Sequence, residues 1–286
     1  MILPLLKVRH KLNIDISKLN AQDKSIFSDY LKNHFQNYNP TPGDDLSFLD
    51  FWRGVVSEVN KAGAETAINT MLVPRLPVDF KDAENISAEI YNSCAGEIPV
   101  IKIKNTDDFE NLVTNLIHKG LRPQNLSSTG AAFVFGKTTR FIILSAKPYS
   151  NVTAKTLGLS EDDWQAKSMT IRLEHECTHY YTKRFFGCSQ NHLHDELVAD
   201  FFGLYAAFGE YKAEFFEYFM GVKGSEGTRL ACYIPDCSPE LFKVLKKTAS
   251  ACAHWLENWS KTDEFKNMEH KERIQHLCAL NLSDIL

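Results

Sequence analysis

The spacing of apolar residues divides the chain into two helical stretches around a shorter extended one. Over residues 21–38 the apolar positions Ile26, Phe27, Tyr30, Leu31 and Phe35 recur at helical steps, which predicts a helix. Pro40, Pro42 and Gly43 end it, and Asp45 or Ser47 can cap a second helix through Phe48, Phe51, Trp52, Val55 and Val56. Pro74 and Pro77 break the chain again, and from about Ile86 the pattern changes. Residues 98–104 alternate loosely, as a half-buried strand does. Thr106, with Asp107 and Asp108, caps a helix to about His118 that carries Phe109, Leu112, Val113, Leu116 and Ile117 on one face. Residues 131–135 and 140–145 are strand-like and flank Gly136-Lys137-Thr138-Thr139, the pattern of a β-hairpin. Beyond Ser150 the periodicity is helical nearly to the end. The expected class is α+β and mainly helical: a small mixed β-sheet precedes a long helix and a helical C-terminal half. Residues 1–85 form a mostly helical N-terminal region, and residues 86–286 a second unit with an α/β part (86–155) and a helical part (156–286).

One helix carries chemistry. Ser160 can cap it, Glu161, Asp162 and Asp163 fill its first turn, Lys183 and Arg184 its last, and Gly187 stops it. Within it, His175-Glu176-Cys177-Thr178-His179 matches the pattern H-E-x-x-H. Histidines four apart lie one turn up the same face, so both imidazoles can reach one ion at ~2.0–2.1 Å. Glu176 lies about 100° around from His175 and about 60° from His179, a position suited to a base beside the metal. Four of the ten histidines (175, 179, 192 and 194) fall within twenty positions of one another, which concentrates ligand chemistry in this part of the chain.

A second acidic pair follows. Glu196 and Asp200 share one face of a helix expected from about Leu193 toward Phe208, with Leu197, Phe201, Leu204 and Phe208 as its core stripe. Gly203 lies one turn further along nearly the same face and would let this helix approach the first closely. The short connection from Gly187 to His192 makes the two helices roughly antiparallel neighbours. Glu196 can then supply a third zinc ligand, and Asp200 can accept the second ring N–H of a ligating histidine, His175 foremost. His192, His194 and Asp195 are the substitutes should Glu196 point away. Cys177 reads as a small buried apolar residue, because its neighbours already occupy the metal face.

His175-Glu-x-x-His179 followed by Glu196-x-x-x-Asp200 resembles the zinc site of the gluzincin, or thermolysin-like, metallopeptidases. The resemblance covers about residues 160–208 and extends more loosely to the sheet before and the helices after. It implies one Zn²⁺ per chain held by His175, His179 and Glu196, with Glu176 as general base and Asp200 supporting a ligand. The metzincin pattern is excluded, since its third histidine would fall at Phe185. Two departures stand out: only sixteen residues separate His179 from Glu196, and no single residue is marked as the oxyanion donor. Tyr205, Tyr211, Tyr233, His254, His270 and His276 are all candidates for that role.

Composition narrows the partners. The 286 residues carry a net charge of −4 with no long run of like charge, which argues against a nucleic-acid partner or an anionic membrane held by a basic face. The apolar stretches are far shorter than the ~20 residues of a membrane span, and residues 1–6 are too short for a signal-peptide core. Seven cysteines without a CxxC pair read as reduced thiols, and the expected compartment is the cytoplasm. The expected function is zinc-dependent hydrolysis of a peptide or protein substrate, with residues 131–135 or their hairpin partner as the edge onto which an extended substrate adds. The alternatives are a structural zinc site without catalysis and a metal-free interaction module.

Overall fold

A computed structural model describes residues 14–35, 37–43, 46–136, 139–187, 192–224, 229–234 and 237–285. The chain is about 60 % helical around a small mixed sheet. Four strands, β1 (Ile86–Ser93), β2 (Gly96–Ile103), β3 (Ala131–Phe135) and β4 (Arg140–Ser145), lie in the order β1-β2-β4-β3. β1 and β2 form an antiparallel hairpin, β2 and β4 run parallel, and β3 returns antiparallel to β4 as the edge strand. The expected hairpin over 131–145 is therefore present. The strand expected at 98–104 is β2, and its partner β1 is an addition to the expected sheet.

Both faces of the sheet are covered, which explains the unbroken apolar run of β4. Alternate residues of the two central strands face opposite ways. Ile101, Ile103, Phe141 and Ile143 pack outward against α2 (Phe48–Ala62), α3 (Ala64–Ala67) and α4 (Thr106–Leu116). Ile98, Val100, Ile142 and Leu144 pack inward on the helical half. That half comprises α1 (Ala21–Tyr30), α5 (Ala154–Leu157), α6 (Glu161–Phe186), α7 (Leu193–Phe208), α8 (Ala213–Met220), α9 (Pro239–Ser260), α10 (Asp263–Asn267), α11 (His270–Ala279) and α12 (Leu282–Ile285). Among the described residues, no helix is long and apolar enough to cross a membrane.

The N-terminal helices serve both layers: Trp52 and Val55 join the outer core, whereas Leu19, Phe27 and Tyr30 join the inner one. The first helix stops at Tyr30, eight residues short of its expected end. Beyond it Asn33 donates to the carbonyls of Cys278 and Leu280, and Leu282 N–H donates to Leu31 O. Asn33 N–H in turn donates to Asn281 Oδ1, so long-range bonds replace the helical ladder here, while Leu31 and Phe35 still pack on the core. The cap of α4 is Asn105, one residue before the expected Thr106, and its side chain accepts from Asp107 and Asp108 N–H. Of the two caps expected for α2, Ser47 directly precedes the helix, while Asp45 falls outside the described residues.

Candidate metal centre

Helix α6 keeps its 26 residues because both ends are closed. Ser160 Oγ accepts from Asp163 N–H, and Gly187 ends it in the left-handed conformation at φ 64°. Helix α7 spans the residues expected of it, with His192 at its N-cap and Glu196 N–H donating to His192 O in the first turn. The two helices meet at Gly203, where a Cβ would lie 2.7 Å from Ile171 O. Only hydrogen fits there, so the glycine sets the close approach on which the centre depends.

That approach brings His175 and His179 of α6 against Glu196 of α7, all three buried, with one ligand atom from each within 4.8 Å of the others. The imidazole Nε2 atoms of His175 and His179 stand 3.0 Å apart. Glu196 lies 3.5 Å from the first and 3.6 Å from the second. The outer nitrogens face carboxylates: His175 Nδ1 is 2.8 Å from Asp200 Oδ1, and His179 Nδ1 is 3.2 Å from Asp195 Oδ2. An Nδ1–H donated to a carboxylate leaves Nε2 as a bare lone pair. Two imidazole nitrogens and a carboxylate thus converge, an arrangement that a cation can fill. The donor set, two imidazoles and one carboxylate, is that of a catalytic zinc site.

Without a metal ion, the electrostatics favour positive charge in the centre. Burial opposes charge on His179, but Asp195 and Glu196 outweigh it and push the imidazole well above its ordinary range. Burial also opposes ionisation of Glu196, yet His179, His175 and Arg229 hold it well below the usual carboxylate range. Asp200 is likewise lowered: burial opposes, Arg229 and His175 prevail. Two buried carboxylates therefore stay ionised, and positive charge between them is stabilised.

Glu176 is half-buried beside the ligands, whereas Cys177 is 1 % exposed within the core, with its thiol pushed well up by burial. The proposed substitutes do other work. His192 caps α7 and lines an open cavity of about 640 Å³ with Tyr30, His34 and Tyr233. His194 Nε2 donates to Leu277 O at 2.8 Å, and burial brings its pKa down to about 4. Asp195, a substitute ligand by its spacing, instead faces His179 from behind. Of the six oxyanion candidates, Tyr233 reaches the centre through Arg229, its hydroxyl accepting from Arg229 Nε at 3.1 Å. Tyr205 and Tyr211 stack on Phe201, His270 on Phe202 and His276 on Trp259, while His254 pairs with Glu217.

Sequence reasoning missed two residues. Tyr149, just after β4, donates its hydroxyl to Asp200 Oδ1 at 2.5 Å. Arg229, in the segment after α8, donates to Glu196 Oε2 at 2.7 Å and to Asp200 Oδ2 at 3.0 Å. Both come from outside the helices, where no periodicity marks them. No curated protein and no solved structure matches the chain. Residues 75–139 and 137–286 do match a family of unknown function, DUF7005, and the second segment carries every residue of this centre. With most of its length matched, the chain belongs to the DUF7005 family.

Proposed function

We propose that the protein is a zinc-dependent hydrolase acting on peptide or related amide bonds, a reading that accords with the gluzincin resemblance. The observation that carries it is the pair of imidazole nitrogens 3.0 Å apart, each ring backed by a carboxylate, facing a third carboxylate from the next helix. His175, His179 and Glu196 would hold one zinc ion, which when bound supplies Lewis acidity to a substrate carbonyl and to water. Glu176, half-buried at the same turn, takes a proton from the attacking water and returns it to the leaving nitrogen. Asp200 holds the His175 imidazole in the tautomer that presents Nε2, and Asp195 faces Nδ1 of His179 at 3.2 Å. The edge strand β3 packs Phe133 and Phe135 against Tyr180, the residue after His179, so its free edge suits an extended chain laid beside the centre. The thiol content favours a reducing compartment, the cytoplasm, and the net charge of −4 favours peptide over nucleic-acid substrates.

The test is metal content and turnover together. Protein purified without chelator should carry one zinc per chain and cleave members of a fluorogenic peptide library. Glu176→Gln should lower turnover about 10²–10⁴-fold with zinc retained. Undiminished turnover in that variant refutes the role of Glu176. Zinc without hydrolysis, and without binding of a hydroxamate, returns the site to a structural one.

A further inference from the structure

Arg229 answers a question that the ligand set leaves open: what keeps two buried carboxylates side by side before a metal arrives. Its guanidinium spans both of them, Nη2 on Glu196 Oε2 at 2.7 Å and Nη1 on Asp200 Oδ2 at 3.0 Å. Nη1 also reaches the Tyr149 hydroxyl at 2.9 Å and Ser150 Oγ at 3.2 Å, and Nε reaches Tyr233. Every nitrogen of the fork is thus engaged, and the side chain is largely buried. The docking point is unusual as well. Ser150 and Asn151 both adopt left-handed conformations, at φ 53° and 59°, which non-glycine residues seldom take. Arg172 anchors that turn from below by donating to the carbonyls of Ser145, Lys147 and Pro148. The strained turn presents Tyr149 and Ser150 to the guanidinium.

We propose that Arg229 is a positioning residue for the metal centre, acting in two ways. In the metal-free protein it is the counter-cation that holds Glu196 and Asp200 in place. In the loaded protein it retains Oε2 of Glu196, so that the carboxylate offers a single oxygen, Oε1, and a coordination position stays open. The inference rests on the zinc reading of the site and adds a determinant from outside the two helices.

The experiment compares wild type with Arg229→Met and Arg229→Lys, metal-free and zinc-loaded. In Arg229→Met the metal-free melting temperature should fall by about 5–15 °C, because two buried carboxylates lose their partner. Zinc loading should recover more than half of that loss, since the ion supplies the missing positive charge. Zinc-edge absorption spectroscopy should show one extra oxygen neighbour, as Glu196 becomes free to bind through both oxygens. Arg229→Lys should restore the melting temperature but not the oxygen count, because lysine brings the charge without the fork. If Arg229→Met is not recovered folded, Arg229→Gln gives the same two readouts. Equal losses in metal-free and loaded forms with an unchanged oxygen count would make Arg229 purely structural and overturn the proposal while the zinc reading stands. A wild type that takes up no zinc overturns both.

Discussion

The two layers packed on opposite faces of the sheet are built on different principles. The outer layer joins Ile101, Ile103, Phe141 and Ile143 to Trp52, Val55, Phe109 and Leu112, an apolar contact. The Phe141 and Trp52 rings lie 5.0 Å apart within it. Its buried charges include Glu110, which takes up Lys147 and Arg122, and Asp108, which accepts from Lys81 and Asp82 N–H. The inner layer is equally well buried, yet between α6 and α7 it encloses His175, His179, Asp195, Glu196 and Asp200. Apolar residues of similar volume would join two helices at lower cost, because each buried charge forfeits several kcal/mol of hydration unless it is paired. Under the proposed reading, the outer layer holds the fold and the inner layer also holds the site.

The widest separation between the layers should come from Ile143, fully buried at the centre of the outer face. Ile143→Ala should lower the unfolding free energy by about 2–5 kcal/mol in denaturant titration while leaving zinc content unchanged. A loss of zinc in that variant would mean that the two layers are not separable. Acid exposes the inner layer next. Burial lowers His194 to about 4, so between an unfolded value near 6.5 and that value the unfolded chain binds a proton that the folded one refuses. Stability should therefore decline as the pH falls from 6.5 to 4, by on the order of 2–3 kcal/mol from this residue. His194→Gln should flatten the profile, measured by melts across that range. Asp200→Asn gives the smallest effect and the most local one. It keeps the shape behind His175 but weakens the acceptor, and zinc affinity in chelator competition should drop about 10–100-fold. Unchanged affinity would remove Asp200 from the centre.

Much of the centre could be read from spacing, because a helix converts positions into faces. His175 and His179, then Glu196 and Asp200, needed only a period of 3.6 residues and a short connection to be brought together. The cap at Ser160, the stop at Gly187 and the close approach at Gly203 followed from equally local rules. Asp195 was visible as a carboxylate but not as the support of His179, since its direction depends on how α7 is rotated against α6. β1 alternates at Ile86, Ala88 and Ile90, which pack on the outer core, but Tyr91 packs on the opposite face and cuts the pattern short.

By itself, the sequence determined the elements whose stability is local: two capped helices, the candidate ligands His175 and His179 one turn apart on the first, and the hairpin around Gly136. Tertiary structure alone decided where α1 ends, how the sheet is ordered, and that Tyr149 and Arg229 both reach Asp200 from segments 80 residues apart. Those contacts depend on loop paths and on electrostatic demand inside a closed core. Neither leaves a periodic trace along the chain.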